Sequence, residues 1–273
     1  MKSLFVKYPV TSRYILAILL FTIVLIVSPM IDGPFMKEYF PYVSAILLVV
    51  VTGFLYRLDG TSLGALGMNL SLRNGAFILL GFVVGALAFM GANLVRSLYT
   101  GESIVLSSTI DYQKIITSLY FILPTVAVEE ILFRGYLFKK TIAVSNVVVA
   151  NIIFSLLFML VHVLDDSVLN SPGRMVMLMI SIPVGHLMFA TALLRSGTLF
   201  FPIGLHLGNN WATRHLISSM DDGQSILIVP ERVSFDTWPS FIGLLLIYNG
   251  VFLLLTWLIW KWPWRNREQS ENI

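Results

Sequence analysis

One apolar stretch of this sequence carries two adjacent acids and an arginine: Pro124-Thr125-Val126-Ala127-Val128-Glu129-Glu130-Ile131-Leu132-Phe133-Arg134-Gly135. Successive side chains on a helix project about 100° apart, so the two carboxylates face different ways. Glu130 and Arg134 stand four residues apart and meet on one face. The simplest division pairs Glu130 with Arg134, which fixes the rotation of the helix, and leaves Glu129 free to face a cavity. The alternative makes both glutamates interhelical glue, a role usually filled by Ser, Thr, Asn or Gln.

Histidines supply the other ionisable groups in apolar runs. His162 ends the run Phe158-Met159-Leu160-Val161-His162 and is followed by Asp165 and Asp166; taken alone it reads as a satisfied residue near a span end. His206 and Asn210 share a helix face one turn apart. Gly204 and Gly208 have the same spacing and allow a second helix to approach closely. His186 has no polar partner at helical spacing and reads as helix packing, while His215 reads as an interface residue.

These groups fit a limited chemistry. Cysteine is absent, so cysteine acyl-enzyme chemistry is excluded. A carboxylate with a histidine can activate water as a general base. A donor pair such as His206 and Asn210 can stabilise the oxyanion of a tetrahedral intermediate. Glu129, His162 and His206 also make a His₂Glu donor set, the type that holds catalytic zinc with one position open for water. HExxH is absent. Spacing alone leaves metal-bound water and metal-free base catalysis both open.

The elements that must position these residues are membrane spans. Of 273 residues, 57% are hydrophobic and 12% charged, against about 45–50% and 25% in globular domains. The mean hydropathy is +0.84. Soluble enzymes, disordered regulators and nucleic-acid binders are poor readings; the lipid bilayer is the expected surrounding. Eight runs approach the ~20 residues that cross a bilayer: Tyr14–Ile31, Phe40–Tyr56, Ala76–Leu98, Ile115–Phe138, Asn146–Val163, Met175–Leu194, Leu199–Ile217 and Phe241–Trp260. The first is too long for a signal-peptide core and is read as retained. The expected fold is all-α: one polytopic membrane domain over residues 1–273, with about eight transmembrane helices enclosing a polar intramembrane cavity. Within the outer loop near Asp221-Asp222-Gly223, Ile226–Val229 reads as a short strand or an interfacial dip.

Eight spans put both termini on one side, and basic residues tell which. With the termini inside, Lys2, Lys7, Arg13, Arg57, Arg73, Lys139, Lys140, Arg195, Lys261, Arg265 and Arg267 fall inside. Lys37, Arg96, Lys114, Arg174, Arg214 and Arg232 fall outside. Trp260, Trp262 and Trp264 suit an aromatic belt at the last exit. Depth fits less well. From the inside turn near Ala143, Glu129 lies ~20 Å and His162 ~30 Å along their helices. Tilt, shifted boundaries or a break at Pro124 must close that spread.

At these residues the chain resembles the CPBP family, the CAAX protease and bacteriocin-processing (Abi) intramembrane proteases, which include the type II CAAX prenyl endopeptidases. The motif EExxxR matches Glu129-Glu130 to Arg134, FxxxH matches Phe158 to His162, and HxxxN matches His206 to Asn210. The three stand in the family's order and cover about residues 125–211, the family-like catalytic core. Leu63-Gly64-Ala65-Leu66-Gly67 also looks like bacterial members. The resemblance implies an eight-helix fold with a conical cavity. It implies an intramembrane endopeptidase, with Glu129 as base on water assisted by His162, and His206 and Asn210 as the oxyanion pair. Glu130 and Arg134 would be structural, with Phe158 as motif support. Either a divalent metal such as zinc or a metal-free glutamate mechanism is compatible with it. The substrate would be a peptide precursor or membrane protein, and the location a bacterial cytoplasmic membrane. The alternatives are a non-catalytic protein for bacteriocin immunity or envelope scaffolding, and a proton-coupled transporter; the latter lacks inverted repeats.

Overall fold

The structure is a computed structural model and describes residues 7–235 and 237–263. Lys2, Trp264, Arg265 and Arg267, used in the charge and aromatic-belt readings, lie outside these residues. Helix α1 (Pro9–Ile31) leads through a short α2 (Pro34–Tyr39) to α3 (Val43–Leu58), a 3-10 turn at Leu63–Leu66 and α4 (Leu72–Thr100). The second half comprises α5 (Tyr112–Arg134), α6 (Tyr136–Val144), α7 (Val147–Val163), α8 (Asp166–Leu169), α9 (Pro172–Ser196), α10 (Phe200–His215) and α11 (Trp238–Lys261). Two-residue strands β1 (Val105–Leu106), β2 (Ile217–Ser218) and β3 (Leu227–Ile228) join the loops at one end. Strand β3 lies between the others, antiparallel to β1 and parallel to β2. Within the Ile226–Val229 stretch, Leu227 and Ile228 are therefore strand.

Each of the eight apolar runs is helical, and the chain is an all-α polytopic membrane protein. The segments Pro9–Ile31, Leu72–Thr100, Tyr112–Val144, Pro172–Ser196 and Trp238–Lys261 are long and apolar enough to cross a membrane. Helices α3 and α7 are apolar but shorter. Helix α10 has 16 residues, about 24 Å of helix, and is wrapped by α4, α5 and α9. Every residue from Phe201 to Gly208 is buried.

The fourth run differs from its sequence reading. It was expected as one helix from Ile115 to Phe138, but α5 ends at Arg134 and α6 starts at Tyr136. Pro124 lies inside an unbroken α5; the break falls at Gly135, whose backbone turns to ψ −134°. A Cβ there would lie 2.1 Å from the Ile131 carbonyl oxygen, so only glycine fits the turn. Side-chain caps set other helix starts. Asp111 accepts from the Lys114 amide at 2.9 Å, and Asn146 from the Val149 amide at 2.9 Å.

A glycine seam holds α10 in place. Gly204 and Gly208 face α4, as their spacing suggested, and α4 answers with Gly81 and Gly85. Added Cβ atoms would lie 2.4 Å from the Ile78 oxygen (Gly204), 2.0 Å from the Phe82 oxygen (Gly208), 2.6 Å from the Phe201 oxygen (Gly81) and 2.1 Å from the Leu205 oxygen (Gly85). The two backbones are in contact, and the close packing replaces the hydrophobic drive that lipid cannot supply. The start of α10 is pinned separately. The Leu199 amide donates to the Leu66 carbonyl at 2.9 Å, and Thr198 Oγ1 donates to the Gly67 carbonyl at 2.9 Å. The Leu63–Gly67 stretch thus anchors the helix that carries His206.

At the end of α3, Asp59 clamps three segments. It receives Arg13 Nε at 3.0 Å, Lys140 Nζ at 2.7 Å and the Tyr136 hydroxyl at 2.8 Å. Burial works to raise its pKa, but the hydrogen bonds from Lys140 and Tyr136 and the charges of Lys140 and Arg13 outweigh it and hold it below the ordinary carboxylate range.

Replacing Gly208 by Ala is expected to lower the melting temperature in detergent, because its Cβ meets backbone. Gly75→Ala, on the partner helix α4 but facing open space, is expected to leave it unchanged or raise it; equal effects would refute the seam. A carboxyl with a lowered folded-state pKa stabilises above its unfolded value, about 4, and loses that contribution as pH falls. Wild type should therefore lose more stability than Asp59→Asn between pH 6 and pH 3 (roughly the range spanning the unfolded value), read by thermal melts at each pH.

Candidate active site

Helix α5 brings the two glutamates in, and the structure separates their roles. Glu130 and Arg134 have no exposed side-chain surface, whereas Glu129 is 24% exposed. Arg134 Nη1 donates to Glu130 Oε1 at 3.0 Å, the expected pair. The same oxygen faces His206 Nδ1 at 2.8 Å. The other ring nitrogen, Nε2, stands 3.5 Å from Glu129 Oε2. His206 therefore bridges the two carboxylates, a link that the motif spacing did not contain.

Aromatic rings enclose this cluster. The Arg134 guanidinium lies 4.2 Å from the Phe158 centroid and 5.2 Å from that of Phe189. Phe189 stacks on the His206 ring at 4.7 Å with planes 19° apart. A cation between two π faces is held electrostatically, and more strongly where water is excluded. Nothing in the sequence singled out Phe189, which reads as one more apolar residue of α9. Phe158, the motif phenylalanine, covers Arg134 and stands 4.6 Å from the His162 ring.

His162 Nδ1 lies 2.8 Å from the Phe158 carbonyl oxygen. A carbonyl only accepts, so Nδ1 carries the proton and Nε2 keeps a lone pair. Phe158 also closes the depth gap. Arg134 and Phe158 touch, and α5 and α7 run in opposite directions. One turn back along α5 reaches Glu130 and Glu129; one turn forward along α7 reaches His162. Phe158 thus links the two ends of the site, its ring centroid 4.6 Å from His162 and 6.2 Å from His206. Counted from the start of α7 at Val147, His162 lies only about 22 Å along its helix, close to the ~20 Å of Glu129.

Asn210 sits one turn beyond His206 on α10. Its carboxamide is half-buried and makes no hydrogen bond. The next residue fixes the helix against α5, through Trp211 Nε1 donating to the Ile115 carbonyl at 3.1 Å. Glu129, His162 and Asn210 are thus partly accessible, while Glu130, Arg134 and His206 form the buried base. The His186 ring lies against Phe138, with centroids 5.8 Å apart. His215 is buried, not interfacial: its Nδ1 donates to the Gln224 carbonyl at 2.8 Å and ties down the outer loop.

The metal alternative fits poorly. Among the described residues no three His, Asp or Glu side chains gather where they could hold one ion. Glu129, His162 and His206 do not form such a group. No step is derived through a metal. Gly60-Thr61-Ser62-Leu63-Gly64 has GxSxG spacing, but Ser62 Oγ only caps the 3-10 turn, accepting from the Gly64 amide at 3.2 Å. It is no nucleophile elbow, which needs a strand-to-helix turn. Two surface recesses of about 480 Å³ each lie elsewhere, one beside Glu102 and Arg232, the other beside Arg174 and Trp238.

The fold and the site define a polytopic membrane protein with an acid–histidine cluster inside its helix bundle. Residues 111–212, from the cap of α5 through α10, match the family model of the Type II CAAX prenyl endopeptidase, Rce1-like proteins. The resemblance to the CAAX protease family is thereby borne out over that segment, and an endopeptidase activity of the CAAX type is what the match supports. Comparison with curated proteins and with solved structures finds no match.

Removing one partner of a buried ion pair strands the other, at about 3–5 kcal/mol. Arg134→Met should therefore depress the melting temperature strongly, and adding Glu130→Gln should restore part of the loss. Additive losses in this double-mutant cycle would show that the pair is not coupled.

Proposed function

We propose that this protein is an intramembrane endopeptidase in which Glu129 activates water. One observation carries the reading: of two adjacent buried-helix glutamates, Glu130 is fastened by Arg134 and His206, while Glu129 stays partly exposed beside the same histidine. A glutamate kept free at that cost to an apolar helix suits a general base.

The chemistry follows from the donors. Glu129 takes a proton from water, assisted by the lone pair on His162 Nε2, and the hydroxide attacks the scissile carbonyl carbon. The carbonyl oxygen becomes an oxyanion and accepts hydrogen bonds from His206 Nε2–H and the Asn210 carboxamide. Collapse breaks the C–N bond, and the proton on Glu129 passes to the leaving amine. His206 can donate from Nε2 while Nδ1–H stays on Glu130 only as an imidazolium. In that state Arg134 and His206 balance Glu129 and Glu130, and the buried cluster is neutral overall.

The family match supports a peptide segment of a membrane-anchored protein or precursor as substrate. Arg13 and Lys140 meet at Asp59, and Arg73 and Arg195 lie near the end of α9, which supports both termini on the cytoplasmic face of the membrane.

The test compares membrane and secreted peptidomes of cells carrying wild type or Glu129→Ala at equal expression. We expect a precursor to accumulate with the variant and its product to vanish. Identical peptidomes, with Glu129→Ala still rescuing a deletion phenotype, would falsify the protease reading and favour a non-catalytic immunity or scaffold role.

A further inference from the structure

The proposed chemistry leaves one interior histidine unused. His186 has no exposed surface, and neither of its ring nitrogens has a hydrogen-bond partner. It sits on α9 three residues before Phe189, so it shares a helix face with the ring that stacks on His206. Its centroid is 6.4 Å from that of Phe158, the ring on which Arg134 rests.

Arg134 has the complementary shortage. A guanidinium has five N–H donors and no acceptor. Nη1 reaches Glu130, but Nε and Nη2 are buried without a partner, as is Glu130 Oε2. The π faces of Phe158 and Phe189 attract the cation without taking these hydrogens. Buried polar groups in native folds are nearly always satisfied by protein or ordered water. Arg134 and His186 both lie against Phe158, and Glu130 is bonded to that arginine, so their unpartnered atoms can share one network. A single water can satisfy three of them: it accepts from an Arg134 N–H and donates to Glu130 Oε2 and to the imidazole lone pair. Three bonds is the usual complement of a buried water.

We infer that His186 is a positioning residue for the candidate site, joined to Arg134 and Glu130 through a buried water. It touches no substrate. By fixing the guanidinium and the second carboxylate oxygen, it sets the angle at which Glu130 holds His206. Its effect on rate rests on the endopeptidase reading; its effect on the His206 ring does not.

The chain has four histidines, so ring-¹⁵N labelling of the full-length protein in detergent gives four imidazole signal sets, assignable by single His→Gln variants. In wild type, the unprotonated nitrogen of His186 should carry the shift of a lone pair that accepts a hydrogen bond. His186→Phe should move the His206 signals and slow formation of the peptidome-identified product by about tenfold or more. His186→Gln, which keeps an acceptor, should recover most of both. A free lone pair on His186 in wild type would overturn the proposal even if the Phe variant fails to fold. So would unmoved His206 signals in His186→Phe, or a Gln variant as impaired as the Phe variant. If Glu129→Ala leaves the peptidome unchanged, the protease reading fails, and the His206 signals alone decide the role of His186.

Discussion

A carboxylate with no exposed surface in an apolar bundle needs a cation and hydrogen bonds, or it carries a proton instead. Glu130 meets that constraint with Arg134 from one turn along its own helix and His206 from α10. Much of the interior follows from this. Arg134 must be shielded from lipid, and Phe158 and Phe189 shield it. His206 must present Nδ1 to α5, so α10 must run close and in one rotation. Once Glu130 is fixed, helical geometry turns Glu129 about 100° away, toward the accessible side.

That rotation of α10 is set by its opposite face. Gly204 and Gly208 lie away from His206 and Asn210 on the helix wheel. Their contact with Gly81 and Gly85 brings α10 and α4 to backbone contact. A helix only 16 residues long and enclosed by others gains little from lipid. Its placement depends on this seam and on the anchor at Leu66 and Gly67. The same enclosure keeps bulk solvent from Glu130 and Arg134, which strengthens their attraction.

The break at Gly135 does a different job. It ends α5 at Arg134 and starts α6 at Tyr136, and Phe158 of α7 docks on that arginine, one turn from Glu130 on α5 and one turn from His162 on α7. Asp59 holds α6 in its turned position through Lys140 and Tyr136.

The sequence by itself determined the helices and most of the chemistry. Long apolar runs cannot leave backbone groups unpaired in lipid, so they must be helical. Spacing of four put Arg134 on Glu130, Asn210 on the His206 face, and a close helix contact at Gly204 and Gly208. The Gly81–Gly85 pair was equally readable, by the same spacing, and was not singled out. Only the tertiary structure decided that His206 bridges Glu129 and Glu130, that Phe189 stacks on it, that His215 is buried, and that the chain turns at Gly135 rather than at Pro124. Those contacts join residues far apart in sequence and depend on how helices rotate and cross. Periodicity fixes which residues share a face of one helix, but not which face of another helix they meet.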